Sequence, residues 1–302
     1  RTMNMISNHF KKLEPGTMQH IAGLTLFPLK ATVKGDLSKL KTFDELASMG
    51  LAHAAEQRGG ANVTKINIEN SSNYWLLMLD GEGIVGAKQN RMMQRSVIIA
   101  PHTCNPVPVN CVERGRWSYR GKSAFENADF SISPKMRDIK GEYLKTKEDY
   151  RVQEAMWDEI SLLERKLGAQ SPTKDLDEII TSKQKVSSRE IHRFVRRNPC
   201  HGFLVYGSGR PFIELFGRED LCERFVSKSI RTWIADADDP SSRRTFNAHR
   251  ALNHLLLSDW STDTSVCSEE VSVCNDESNG RCIAMDGNFV HGYYYLPSHS
   301  YH

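Results

Sequence analysis

The sequence predicts an α+β protein: a β-sandwich-like body with a helix and hairpin section packed against it. Three observations lead there. Short apolar runs separated by turn residues crowd the stretch from 63 to 113. Apolar stripes at three- and four-residue spacing dominate 148–260. A last aromatic-rich run, 283–296, reads as a strand pair that returns to the body. Several short strands divided by turns fit a sandwich or a barrel-like sheet.

Taken in order, residues 1–18 are polar, with Lys11-Lys12 and Pro15-Gly16, and read as a flexible arm. The β-rich body is expected over 19–120. Its first strand is Leu24-Thr25-Leu26-Phe27-Pro28-Leu29, ended by proline. Thr42-Phe43-Asp44-Glu45 is a capping box, and Leu46, Ala47, Met49 and Leu51 continue it as a short helix. Val63, Ile66 and Ile68 precede the turn Asn70-Ser71-Ser72-Asn73. The runs 74–79 and 97–100 read as buried on both faces, whereas Val107, Val109 and Cys111 alternate with Pro108 and Asn110 and cover one face.

An irregular connection, 121–147, is rich in Arg, Lys, Ser and Gly. The helical and hairpin section, 148–260, starts with Val152, Met156, Ile160, Leu163 and Leu167 on one helical stripe beside Trp157. Phe203-Leu204-Val205-Tyr206, the turn Gly207-Ser208-Gly209 and Phe212-Ile213-Glu214-Leu215-Phe216 form a hairpin. Leu221, Phe225, Val226, Ile230, Trp233 and Ile234 mark another amphipathic helix, and 243–257 a third. An acidic, serine-rich linker, 261–280, leads to the returning strands and tail, 281–302. There is no internal repeat.

The 302 residues suffice for one large or two ordinary domains, and 39% hydrophobic with 25% charged residues is a globular composition. No window approaches a membrane-spanning length, so no membrane partner is expected. A net charge of +3 gives no global field for nucleic acid. Seven cysteines, an odd number without a C-x-x-C pair, favour reduced thiols and a cytoplasmic protein. Cys267–Cys274 and Cys274–Cys282 links stay open. The first residues lack the pattern of a secretory signal, and Arg1 is not a natural initiator, which fits a trimmed start.

The most informative stretch is Asp80-Gly81-Glu82-Gly83-Ile84-Val85-Gly86-Ala87-Lys88-Gln89-Asn90-Arg91. Its glycines match G-x-G-x-x-G after an apolar run, as in a dinucleotide-binding turn. However, 87–95 is too short for a crossover helix, and no acidic residue ends the next strand. A glycine-rich turn between antiparallel strands fits better. The block Lys88, Gln89, Asn90 and Arg91 can fork hydrogen bonds onto a phosphate or carboxylate, or can tie loops to the sheet as a buried network. Glu113, Arg116 and Trp117 leave another strand. Glu113 can act as acid/base, Arg116 can bind an anion and Trp117 can stack, or Glu113 can simply pair with an arginine while Trp117 packs in the core. Cys111 belongs to the apolar alternation and reads as packing.

Arg189, Arg193, Arg196 and Arg197, with His192 and His201, form a basic run that reads first as a solvated helix face and last as a nucleic-acid track. Histidine spacing shows no metal motif, and no metal or cofactor is assigned.

The segments Leu79-Asp80-Gly81-Glu82, Val85-Gly86-Ala87-Lys88-Gln89-Asn90-Arg91 and Val109-Asn110-Cys111-Val112-Glu113-Arg114-Gly115-Arg116-Trp117 resemble the signature segments of one family. It is the ARG and rhodanese-phosphatase-superfamily-associated protein domain. Weaker similarity at 26–29, 202–216 and 290–292 extends the resemblance over roughly 19–297. The chain departs from the pattern at Gly83, where an acidic residue is expected, and at Asn110. The family name records gene neighbourhoods with ADP-ribosylglycohydrolases and phosphatases, so the resemblance implies a role near ADP-ribose or NAD-derived metabolites. It carries over no catalytic residues.

Two functions follow as expectations. In the first, a pocket binds a phosphorylated nucleotide-type small molecule such as ADP-ribose. Lys88, Arg91 and Arg116 face its phosphates, Gln89 and Asn90 hold ribose or base edges, and Trp117 stacks. If the pocket also hydrolyses its ligand, Glu82 or Glu113 is the acid/base. In the second, the chain is a non-catalytic interaction or sensor domain and the polar block is structural.

Overall fold

The computed structural model describes residues 2–32, 35–57, 63–119, 121, 123–145, 148–237, 246–264, 269–274 and 278–297. The fold is α+β with a largely β body, and the chain divides into two compact units. One combines Arg1–Leu37 with Lys185–His302, and the other is the continuous stretch Ser38–Gln184.

The first unit opens with α1 (Thr2–Phe10), β1 (Leu13–Pro15), β2 (Gln19–Ile21) and β3 (Leu24–Ala31). The second unit holds β4 (Leu40–Thr42), α2 (Phe43–Ser48), β5 (Ala52–Glu56), β6 (Lys65–Asn70), β7 (Trp75–Met78) and β8 (Glu82–Gly86). It continues with β9 (Arg91–Met93), β10 (Val97–Ile99), β11 (Thr103–Cys111), β12 (Ala124–Ser131), α3 (Pro134–Lys145), α4 (Asp149–Leu167) and α5 (Leu176–Ser182). The first unit resumes with α6 (Ser188–Arg197), β13 (Gly202–Tyr206), β14 (Phe212–Phe216), α7 (Glu219–Ala235) and α8 (Ala248–Leu257). It ends with β15 (Trp260–Thr264), β16 (Glu269–Cys274), β17 (Asn279–Met285) and β18 (Asn288–Tyr295).

The first unit is built on a nine-stranded sheet ordered β1-β3-β13-β14-β18-β17-β16-β15, with β2 paired to β3. The expected hairpin is its centre, with Val205 opposite Phe212. Both faces of that hairpin are covered, so every residue of β13 and β14 is buried. Leu204, Ile213 and Leu215 pack with Ile6 and Phe10 of α1 and Leu252 and Leu255 of α8. The alternate residues turn to α6 and α7: Phe203 meets Phe194, Phe212 meets Trp233, and Phe216 meets Phe225.

The second unit contains a closed barrel in the order β11-β6-β5-β12-β8-β9 and a three-stranded sheet, β10-β7-β4. Of the two β architectures open to the strand pattern, the barrel is the one that forms. Period-two alternation sends Ala54, Ile66, Ile68, Ile84, Val107, Val109 and Phe125 into one core with Phe43, Leu46 and Leu76. The capping box forms as expected: the Glu45 carboxylate accepts from the Thr42 amide and hydroxyl, both at 3.0 Å. The stripe on α4 buries Val152, Met156, Ile160 and Leu163.

Three segments differ from expectation. The arm over 1–18 contains α1 and β1, because Ile6 and Phe10 find the apolar face of the sheet. The irregular connection holds β12, which closes the barrel, and α3. The acidic linker includes most of β15 and all of β16; β15 is the sheet's edge strand, a place that its polar composition suits, and β16 pairs between it and β17. Cys267 and the Cys274 side chain lie outside the described residues, and so do the disulfides weighed for them. No described helix is long and apolar enough to cross a membrane.

Candidate functional site

The glycine-rich segment joins the small sheet to the barrel, and each glycine has a local reason. Gly81 turns the chain at φ +80°, donating to the Met93 carbonyl and accepting from the Ile132 amide. A β-carbon on Gly83 would stand 2.6 Å from the Phe130 ring, so only glycine fits there without a shift. Gly86 leaves β8 at φ +120°. The chain then turns directly into β9, and no helix follows to hold a pyrophosphate. The G-x-G-x-x-G match is thus a strand and its turns.

Glu82 closes the same turn, its carboxylate accepting from the Leu79 amide at 3.0 Å. It begins β8, whereas Asn90 meets the Gly86 amide at the far end of that strand, 3.0 Å away. Four strand residues span about 13 Å, so Glu82 is not part of the cluster that contains Glu113. Asp80, two residues before it, is also engaged, in a buried ion pair with Lys140.

The two signature segments do meet. Arg116 is buried and directs Nε to both Glu113 oxygens at 2.9 Å. Its Nη1 donates to the Ala87 and Ser118 carbonyls at 2.7 and 2.8 Å. Its Nη2 lies 2.7 Å from Glu113 Oε2, with longer contacts to the Gly86 carbonyl and Asn90 Oδ1. An arginine has five N–H donors, and all of them face protein acceptors. Asn90 links the segments, donating its amide to Glu113 at 3.1 Å and its side-chain nitrogen to Asp175 at 3.0 Å. Lys174 donates its own amide to the Ser171 carbonyl, while the Val112 and Thr173 carbonyls accept from Leu176 and Gly115, so 112–115 is stitched to the start of α5.

Arg91 occupies one end of the barrel and is fully buried. Its Nη1 donates to Gln89 at 3.0 Å and to the Cys111 thiol, and its Nη2 makes a 3.6 Å ion pair with Glu56. Burial pushes the Cys111 thiol up to about 11 despite the arginine beside it, so the residue packs as a neutral thiol. Trp117 lies over this end, its ring centre 5.5 Å from the Arg91 guanidinium.

Of the residues singled out, only Lys88 and Trp117 face water. Trp117 is 46% exposed and Tyr119 50%, and the Lys88 ammonium stands 5.4 and 5.6 Å from their ring centres. This is a half-buried cation between two exposed aromatic rings.

The carboxylates of the network are pushed in opposite directions. Burial opposes the charge on Glu113, but the hydrogen bonds from Arg116 and Asn90 and the guanidinium charge prevail, holding it below the ordinary range. Burial raises Asp175 to about 6, and the nearby Glu113 charge adds to this against the Asn90 hydrogen bond. Divergent carboxyls are a pattern of acid/base sites. Here Glu113 is wholly buried and already bonded on both oxygens, so it has no face to offer a substrate.

Residues 12–295 match the family model of the ARG and Rhodanese-Phosphatase-superfamily-associated Protein domain. The chain belongs to this family. No curated protein and no solved structure matches it. The ARPP-1 domain therefore spans both units. Asp175 and Glu56 complete its polar clusters, and sequence reasoning missed both. The acidic start Asp175-Leu176-Asp177-Glu178 signals a helix cap, and Asp175 does accept from the Asp177 amide at 3.2 Å. Nothing local signals that it also meets Asn90. The basic run of the ARPP-1 domain lies on α6 with its arginines exposed and Ile191 and Val195 buried, the arrangement of a solvated helix face. Among the described residues, no three His, Cys, Asp or Glu side chains are grouped to hold a metal.

Proposed function

We propose that this domain is a non-catalytic interaction or sensor module, working in the cytosol, in which the signature polar residues are structural. One observation carries the reading: every N–H of Arg116 is matched to a protein acceptor inside the barrel unit. A phosphate could take Arg116 only by breaking the pair with Glu113, leaving that carboxylate buried beside a second anion. The same holds for Asn90, whose amide groups tie Glu113, Asp175 and Gly86 together.

A second reading rests on the exposed pair of rings. Trp117 and Tyr119 with Lys88 between them offer a stacking surface and a cation to a nucleotide-type ligand, such as the ADP-ribose implied by the family's name. Contact then comes from Lys88 and Trp117, without Arg91, Arg116, Gln89, Asn90 or either glutamate. Thermal unfolding with and without ADP-ribose and NAD separates the readings, because a ligand of the folded state raises the apparent midpoint. The structural reading expects no shift with either nucleotide. A shift that disappears in Trp117→Ala or Lys88→Ala, while both variants keep the parent's own midpoint, replaces it with the second reading.

A further inference from the structure

Two thiols in the first unit face each other at the base of a cleft. Cys200 follows α6 and precedes β13, and Cys222 lies in the first turn of α7. Their Sγ atoms are 3.9 Å apart, and both residues are buried. A cavity of about 330 Å³ opens above them, with both cysteines in its wall and Arg196, Glu219, Asp220 and Glu223 around it.

We propose that this cleft is a dithiol site that exchanges with small disulfides, Cys200 accepting the first sulfur and Cys222 resolving it. Cys200 lies outside regular secondary structure, in the connection Asn198-Pro199-Cys200, whereas Cys222 is held in the helix by the hydrogen bond from its amide to the Arg218 carbonyl. The electrostatics assign the same order. A hydrogen bond from the Cys222 thiol, helped by backbone contacts at Gly202 and Leu29, holds Cys200 below the ordinary thiol range against its burial. Burial, reinforced by the neighbouring Cys200, lifts Cys222 well above it. The thiolate is the attacking species, so Cys200 reacts first.

The chemistry balances without another reagent. The Cys200 thiolate attacks one sulfur of a disulfide R–S–S–R, forming a protein–S–S–R bond and releasing R–S⁻, which takes up the proton Cys200 gave up. Cys222 then loses its proton and attacks the Cys200 sulfur, and the second R–S⁻ leaves and is protonated. The dithiol is oxidised by two electrons and the small disulfide is reduced to two thiols. A bonded pair needs roughly 2.0 Å between sulfurs, so the 3.9 Å separation has to close as the bond forms. Because both thiols belong to the sheet unit, the proposal stands apart from the reading of the barrel network.

Cystamine is the probe. The native full chain is treated with it, freed of reagent, alkylated after denaturation, digested and mapped by mass spectrometry without reduction. The expected product is a Cys200–Cys222 cross-linked peptide pair. Cys222→Ser should stop the reaction at one cysteamine on Cys200, and Cys200→Ser should leave Cys222 a free thiol. The exposed Cys104 reports that the reagent is active in every sample. If Cys104 is modified while Cys200 and Cys222 are both recovered alkylated from the parent protein, the proposal fails. That parent result decides the matter even if a variant does not fold.

Discussion

Replacing Arg116 with alanine should unfold the barrel unit's polar centre, and its size can be worked from the contacts. The substitution deletes two short bonds to Glu113 and leaves that fully buried carboxylate without its cation. It also strips donors from the Ala87 and Ser118 carbonyls. Breaking a buried ion pair from one side costs about 3–5 kcal/mol, against a typical total stability of about 5–15 kcal/mol. With a urea slope of about 2 kcal/mol/M, the midpoint should fall by roughly 2 M. Equilibrium urea unfolding followed by circular dichroism reads this directly. Glu113→Gln and the double variant complete a cycle. The pair shares one network, so the double variant should lose less than the two single losses added, by about 0.5–3 kcal/mol. A loss below about 1 kcal/mol for Arg116→Ala, with additive effects, is the behaviour of an exposed pair and would refute the reasoning.

The other expectations follow the same network and its supports. Asp175 is raised to about 6, so the folded chain holds its proton more tightly than the unfolded chain. Its contribution is complete below pH 3.8 and is lost as pH climbs through 6, by roughly 3 kcal/mol in all. Asp175→Asn should remove that decline between pH 4 and 7 in urea titrations, and an unchanged slope contradicts the assignment. Glu113, held below its usual range, works in the opposite sense: its contribution is present above pH 4.5 and is lost in acid. An acid titration of Glu113→Gln that loses as much stability as the parent counts against it. Gly83→Ala pushes a methyl into the Phe130 ring and should destabilise by about 1–3 kcal/mol, measurable by thermal melting; a neutral result means that β8 shifts freely. Lys140→Ala leaves Asp80 buried without its cation and should cost about 3–5 kcal/mol, and Lys140→Met distinctly less. Equal losses by urea titration would separate Lys140 from that charge argument.

What the sequence revealed follows the range of the forces involved. The Thr42–Glu45 capping box, the stripe on α4 and the hairpin at 202–216 are local patterns of period and cap, and all three form. The pairing of β3 with β13 joins Thr25 to Tyr206, and no local pattern encodes it. That is why the first strands and the last 118 residues, 185–302, form one unit that the chain order conceals. Strands β15 and β16 were hidden by their polar composition: β15 is an edge strand, which needs little apolar surface, and β16 lies next to it. At the polar block, the density of Lys88, Gln89, Asn90 and Arg91 announced a cluster, and its convergence with 113–117 was legible as well. The direction of the side chains was not. Arg116 finds its carboxylate three residues away, but the partners of Arg91 and Asn90 are distant along the chain, Glu56 and Asp175.

The most direct test watches the guanidinium protons themselves. In a ¹⁵N-resolved NMR spectrum the Arg116 Nε–H, held between both oxygens of Glu113, should exchange slowly with water and keep its position as ADP-ribose or inorganic phosphate is added. A rapidly exchanging Arg116 signal that moves with either addition would place the guanidinium in an open anion site and contradict the account.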